Sequence, residues 1–247
     1  MSDVCIVTGG SRGIGAACAK QAAAAGYHVC LSFISNADAA ASIVREIETS
    51  GGTATAVQGD VAEEADILKL FSAADEMGQL TALINNAGKV DMTERVENYT
   101  VERLQRMYSV NVIGSILCAR EAVKRMSTSH GGKGGAIVNL SSAAAYLGSP
   151  NQYVDYASSK AAIDTFTKGL ALEVANEGIR VNAVRPGLIY TDLHESGAEP
   201  GRVEKLEHMV PMKRGGSADE IASAVIWLLS DGASYVTGDC LNVTGGR

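Results

Sequence analysis

The 247-residue chain has no excess of positive charge: 21 Lys and Arg stand against 28 Asp and Glu, a formal net charge of −7, and no basic run occurs. A nucleic-acid surface is therefore not expected. No apolar run is long enough to span a bilayer. The first residues, MSDVCIVTGG, lack the basic and apolar regions of a signal peptide. Cys5, Cys18, Cys30, Cys118 and Cys240 contain no CxxC pair. An odd number of cysteines in apolar patterns reads as buried reduced thiols, hence a cytoplasmic protein, rather than disulfides or metal ligands. His28, His130, His194 and His208 show no metal-ligand spacing, so no metal site is expected. With 20% charged and 46% hydrophobic residues, the mix is that of an ordinary globular domain.

What is present is alternation. Short apolar runs read as strands over Asp3–Thr8, His28–Phe33, Thr53–Gln58, Leu80–Ile84, Ala136–Leu140, Ile179–Arg185 and Val236–Val243. Between them lie helix-like segments over Ala16–Ala25, Ala37–Ser50, Glu63–Met77 and Thr100–Met126, then a helix carrying Tyr156. The capping box Ser217-Ala-Asp-Glu220 opens one more. Gly26 closes the first helix as a C-terminal cap would. No linker or repeat divides the chain. Alternating strands and helices predict an α/β fold: a three-layer, doubly wound parallel sheet in a single domain over residues 1–247. Residues 190–216 mix Gly, Pro and charge without a strong period and read as a helical lid over the substrate.

The first strand runs into Gly9-Gly-Ser-Arg-Gly-Ile-Gly15 and then the first helix. Glycines let the backbone approach a pyrophosphate, and a helix N-terminus offers free N–H groups and the positive end of its dipole. Strand, glycine turn and helix together predict a nucleotide site, with Gly9, Ser11, Arg12, Gly13, Ile14 and Gly15 as candidates. Sites selective for NAD place an acid at the end of the second strand, for the ribose 2′-hydroxyl. Here that end reads Ser32-Phe-Ile-Ser-Asn36, and the nearest acid, Asp38, suits the start of the next helix. Arg12 is available for a 2′-phosphate, so NADP(H) is favoured over NAD(H), with Asn36 in the cofactor set. After the third strand come Asp60 and Val61; Asp60 meets an adenine amine, caps the next helix, or does both. After the fourth strand, Asn85-Asn-Ala-Gly88 either locks neighbouring turns and borders the cofactor, through Asn86, Ala87 and Gly88, or only forms a turn.

The stretch Ser142–Lys160 carries the chemistry. Tyr156 and Lys160, four positions apart, share one helix face. A phenol is a poor acid at neutral pH, with an ordinary pKa of about 10, and a nearby ammonium lowers it. Such a tyrosine can exchange a proton with a substrate oxygen. A serine at the strand end can hydrogen-bond the same oxygen. Tyr153 shares the face but lies two turns from Lys160, about 10 Å of rise. Ser141 and Ser142 point to opposite sides of an extended chain, so one of them faces the site, and spacing alone selects neither. Asn111, amid apolar neighbours in a helix, is either a satisfied core group or a kink holding a water near the site.

These motifs, in this order, resemble the short-chain dehydrogenase/reductase family in its compact single-domain branch. The resemblance rests on Thr8-Gly-xxx-Gly13-x-Gly15, Asn85-Asn-Ala-Gly88, Asn111, Ser142, Tyr156-xxx-Lys160 and Pro186-Gly-xxx-Thr191, and runs from Asp3 to Gly246. The interval from Ser142 to Tyr156 is one residue longer than is usual there. The resemblance implies a Rossmann fold and hydride transfer between nicotinamide and a small-molecule carbonyl or secondary alcohol. It implies Ser142, rather than Ser141, orienting the substrate oxygen, and Tyr156 as general acid/base. Lys160 would lower the Tyr156 pKa and bind the nicotinamide ribose, and Asn111 would hold a relay water. Ile189 and Thr191 would fix the nicotinamide carboxamide, with Pro186 and Gly187 completing the cofactor set.

The family's substrates include 3-oxoacyl thioesters, sugars (glucose-type 1-dehydrogenases) and general ketones. Glu177 stands where carrier-dependent reductases tend to be basic, so an acidic carrier protein is disfavoured, although Arg120, Lys124, Arg125 and Lys133 offer a candidate local patch. The lid residues His194, Glu195, Glu199, Arg202 and Glu204 lean toward a small polar carbonyl or a sugar. A non-catalytic NADP-binding sensor would show a damaged Ser/Tyr/Lys set, and this set is whole. A homotetramer through the long helices and the last strand is the family's common assembly.

Overall fold

The structure, a computed structural model, describes residues 2–191 and 201–247. Seven strands form one sheet: β1 (Asp3–Val7), β2 (His28–Phe33), β3 (Thr53–Gln58), β4 (Gln79–Asn85), β5 (Gly135–Leu140), β6 (Ile179–Pro186) and β7 (Cys240–Val243). Their order is β3-β2-β1-β4-β5-β6-β7, and every neighbouring pair is parallel. Parallel pairs need crossover connections. These contain α1 (Gly13–Ala24), α2 (Ala37–Thr49), α3 (Glu64–Met77), α4 (Val101–Tyr108), α5 (Ser115–Met126), α6 (Ala144–Leu147), α7 (Val154–Val174), α8 (Arg202–Leu206) and α9 (Ala218–Leu229).

Successive side chains along a strand point to opposite faces. Cys5 and Val7 of β1 therefore share a core with Ala19 of α1, Ile43 of α2 and Val225 of α9. Val4 and Ile6 share the opposite core with Phe71 of α3, Ala122 of α5 and Val174 of α7. Helices cover both faces, which gives the expected three-layer Rossmann sandwich in one domain.

Some boundaries differ from the sequence pattern. Thr100–Met126 is interrupted: Ser109–Gly114 is a π-helical turn between α4 and α5. Gly114 lies so close to Val61 that a Cβ there would meet the Val61 carbonyl oxygen at 2.5 Å. The Ser115 hydroxyl bonds the Asn111 carbonyl at 3.2 Å, one of the ways a helix accommodates a widened turn. The last strand is only Cys240–Val243; before it, main-chain bonds from Gly238 N–H to the Val181 carbonyl and from Ala183 N–H to the Asp239 carbonyl are interleaved with side-chain ones. The Asn182 amide donates to the Val236 carbonyl at 2.9 Å and accepts from the Asp239 N–H at 3.1 Å. The short α6, closed by Gly148 at φ 76°, has no counterpart in the periodicity. Of the expected lid, residues 192–200, with His194, Glu195 and Glu199, lie outside the described residues; the remainder holds α8 and a 3₁₀ turn at Glu207–Met209.

Candidate active site

Open α/β sheets bind ligands at the carboxyl ends of their strands, where the strand order reverses. Here the reversal lies between β1 and β4, and the glycine turn leaves β1 at that point. Gly9 adopts φ 65°, and a Cβ on Gly15 would sit 2.2 Å from the Gly9 carbonyl oxygen and 2.5 Å from the Asn86 amide nitrogen. The Asn86 amide donates to the Thr8 and Gly9 carbonyls at 2.9 and 3.0 Å. The Asn86 and Ala87 N–H groups both donate to the Thr8 hydroxyl at 3.0 Å. These bonds lock the two turns together, the first of the two alternatives the sequence left open. Asn85 instead points into the core and bonds the Ser115 carbonyl and the Asn139 amide oxygen at 3.0 and 2.9 Å. Arg12 occupies the N-cap of α1 without a capping side-chain bond, and the first turn holds no acid. That leaves its amides and the dipole for an anion, so the residues present fit a dinucleotide pyrophosphate.

A cavity of about 1070 Å³ runs from this turn across the sheet edge. Gly9, Ser11, Arg12, Gly13 and Ile14 line one end, with Asn36, Asp60 and Val61 beside them. Asn86, Ala87 and Gly88 form the middle. Ser142, Tyr156 and Lys160, then Pro186, Gly187, Ile189 and Thr191, line the far part. Gly15 and Asn111 lie behind the wall, not on it. Asp38 sits in the first turn of α2, and the Asn36 side chain caps that helix by accepting from Ala39 N–H at 2.9 Å. Among the described residues, no carboxylate therefore stands at the end of β2. Asp60 does not cap α3, whose N-cap is Glu63. Its carboxylate instead closes a tight turn on the Ala62 N–H at 2.9 Å.

Both serines line the cavity, but their hydroxyls take different partners. Ser141 is buried and its hydroxyl donates to the Lys160 carbonyl at 3.2 Å. Ser142 faces the cavity and is hydrogen-bonded to Tyr156. The Tyr156 phenol is raised from its ordinary value to about 12, chiefly by burial, with the Ser142 bond working the other way. Burial lowers the Lys160 ammonium to about 8. Its nitrogen lies 5.8 Å from the Tyr156 ring centroid and donates to the Leu140 carbonyl at 2.6 Å. The expectation that Lys160 draws the phenol below its ordinary pKa thus gives way, in this arrangement, to desolvation. Asn111 sits in the π turn, and its amide donates to the Lys89 carbonyl and the Ser159 hydroxyl at 2.9 and 3.0 Å. Its side-chain oxygen accepts from the Lys89 N–H at 2.7 Å. It is a satisfied polar group, and it sits at a helix distortion.

The family described as enoyl-(acyl carrier protein) reductase matches residues 9–247. The chain belongs to the short-chain dehydrogenase/reductase family. It is an oxidoreductase acting on CH–OH or C=O groups. It is 53% identical over 245 residues to the uncharacterized oxidoreductase YgfF of Escherichia coli (strain K12), covering 99% of each chain. It is 39% identical over 243 residues to 3beta-hydroxysteroid dehydrogenase 1 of Eggerthella lenta, covering 98% of this chain and 92% of the relative. A short chain dehydrogenase from Burkholderia cenocepacia J2315, in complex with NADP, matches with a TM-score of 0.90 at 31% identity, over 99% of this chain and 97% of that one.

The substrate end of this dehydrogenase/reductase holds residues the motifs do not mark. Tyr153, set aside as too far from Lys160, packs edge-on against Tyr156 with ring centroids 5.8 Å apart. From α8, Arg202 lies 5.2 Å over the Tyr153 ring and donates to the Gln152 side chain at 2.7 Å. Leu206 and Met209 continue the same wall. The candidate basic patch is largely consumed. Arg120, Lys124 and Arg125 all pair with Glu121, and Arg120 and Arg125 also reach Glu64 and Asp75. Glu177 accepts from the Ser127 hydroxyl.

Proposed function

We propose that this short-chain dehydrogenase/reductase uses NADP(H) to reduce a small ketone to its secondary alcohol, with Tyr156 as the general acid and as the base in the reverse direction. The observation that carries the reading is convergence: Ser142, Tyr156 and Lys160 line the same cavity as the uncapped N-terminus of α1. When bound, the dinucleotide supplies or takes up the hydride at the carbonyl carbon. Ser142 holds the substrate oxygen, and Tyr156 delivers its phenolic proton to that oxygen as charge develops on it. A phenol raised to about 12 keeps its proton at neutral pH, which suits the reducing direction. Lys160 stands behind Tyr156 to hold the nicotinamide ribose, and Asn111 backs the relay. Ile189 and Thr191 fix the carboxamide.

The exposed Arg12, the absence of an acid after β2, and the NADP complex of the Burkholderia cenocepacia relative together support NADP(H) over NAD(H). Val90, Leu147, Tyr153 and Met209 make the substrate wall largely apolar and aromatic. That favours a ketone with an apolar body over a sugar. The pairing of Arg120, Lys124 and Arg125 argues against docking of an acidic carrier protein, leaving a 3-oxoacyl thioester as the alternative. Residues 190–216 serve as the lid, through α8. Five unpaired cysteines support a cytoplasmic setting. Exposed Ile113, Ile116 and Leu172 on the long helical segments support a homotetramer.

The test is a turnover screen with NADPH and NADH against ketones, 3-oxoacyl thioesters and sugars. Ketones are expected to turn over with NADPH preferred about 10- to 100-fold, the range of one charged contact to a phosphate. Tight NADPH binding with no turnover of any carbonyl would sink the enzymatic reading, and preference for NADH would sink the cofactor assignment.

A further inference from the structure

The helix that carries Tyr156 lacks an ordinary cap. Its N-cap residue, Tyr153, makes no side-chain hydrogen bond to the first turn. Its ring forms part of the cavity wall instead. The first-turn amides of such a helix still need partners. Here the Val154 N–H donates to the Tyr99 hydroxyl at 2.9 Å. The Tyr156 N–H donates to the Asp155 carboxylate at 2.9 Å.

Both acceptors are held by one residue of α4. The Arg103 guanidinium grips Asp155 with two bonds, Nε at 2.7 Å and Nη2 at 3.2 Å. It also stacks 4.4 Å over the Tyr99 ring and donates to the Met92 carbonyl at 2.8 Å. The pair is buried, with side-chain exposures of 10% for Arg103 and 0% for Asp155. A buried ion pair is a poor source of net stability, because desolvation offsets the attraction. What it does supply is a fixed geometry, since a planar fork on a carboxylate allows little rotation.

We propose that Arg103 and Asp155 are positioning residues for the reaction, acting as a remote cap that holds the first turn of α7 and so aims the Tyr156 phenol. This rests on Tyr156 being the proton donor. Asp155 acts through the backbone N–H of Tyr156, and Arg103 acts through Asp155 and Tyr99. Loss of the fork lets the first turn fray while the rest of α7 stays packed in the core. The phenol then departs from its reacting geometry, and displacements of about 1 Å can cost on the order of 100-fold in rate.

The experiment compares Arg103→Lys, Asp155→Asn and the double variant Arg103→Met/Asp155→Leu with the wild type and with Tyr156→Phe. It reads amide hydrogen exchange across residues 153–160, the NADPH dissociation constant, the unfolding midpoint, and kcat on the ketone turned over fastest with NADPH. Exchange at 154–157 is expected to accelerate tenfold or more in each variant, with residues 163–174 unchanged. We expect kcat to fall about 10- to 100-fold while NADPH binds within about threefold of wild type. The double variant should regain the unfolding midpoint, because no lone charge stays buried, yet keep its low kcat. Recovery of kcat together with stability, or unchanged exchange at 154–157, would overturn the proposal. An active Tyr156→Phe enzyme would instead overturn the assignment of Tyr156, a separable result.

Discussion

At one end of the cavity the wall is built around a glycine turn; at the other it carries the large side chains of Tyr153, Leu206 and Met209. The glycine turn sits against Asn86 and Ala87 with no room for a Cβ at Gly15, and its shape is held by the Asn86 amide, the Ser32 hydroxyl and the Gly10 N–H bond to the Ser32 carbonyl. The other end is built by the loop before α7 and by α8. There the longer Ser142–Tyr156 interval contains Ser149 at φ 45° and Asn151 at φ 60°, two non-glycine residues in the left-handed region. Each such residue costs on the order of 1 kcal/mol. The Gln152 carbonyl accepts from the Glu94 N–H at 2.7 Å, while its side chain takes Arg202. A site built on backbone tolerates change in the side chains around it. A site built from side chains on a strained loop can change its substrate without disturbing the sheet.

The sharpest way to break this division is at the residue where the two ends meet. Tyr156→Phe is expected to lower turnover by about 10²- to 10⁴-fold, the range of one general acid. NADPH affinity, read by fluorescence titration, should stay within about twofold. Equal loss of binding and turnover would mean that the ends are not separable. The next test touches the cofactor end alone. Arg12→Ala should weaken NADPH about 10- to 100-fold and leave NADH affinity unchanged. A matching loss for both dinucleotides would remove the 2′-phosphate assignment.

The smallest expected effect concerns Lys160. Its folded pKa is depressed by burial to about 8 against 10.5 ordinarily. Between those values the unfolded chain binds the proton more tightly, so this group's contribution to stability rises with pH across that window. Relative to Lys160→Met, the wild type should gain about 1–2 kcal/mol between pH 7 and pH 9.5, measured by denaturant unfolding. A difference that stays flat with pH would show that the amine is not desolvated.

Short-range pattern carried much of the reading. The strand, glycine turn and helix are contiguous, and so are Tyr156 and Lys160, so their spacing could be read directly. Asn111 announced a helix irregularity because an amide amid apolar neighbours must find partners; the π turn is the form it took. Of the two readings open for Asp60, the helix cap is not realised, because an Asp before a helix serves a tight turn equally well.

Sequence alone determined the order of the strands and of most helices, the parallel sandwich, the place of the glycine turn and the pairing of phenol and amine on one face. Each follows from residues within a few positions of one another, where periodicity is informative. Only the tertiary structure decided that Ser142 meets Tyr156 while the Ser141 hydroxyl turns to the Lys160 carbonyl, that Arg103 meets Asp155 across 52 positions, that Arg202 covers Tyr153, and that Glu121 absorbs the candidate basic patch. Those contacts depend on how distant elements pack, and nothing in local hydrophobic spacing records which charged side chain a fold brings to which partner.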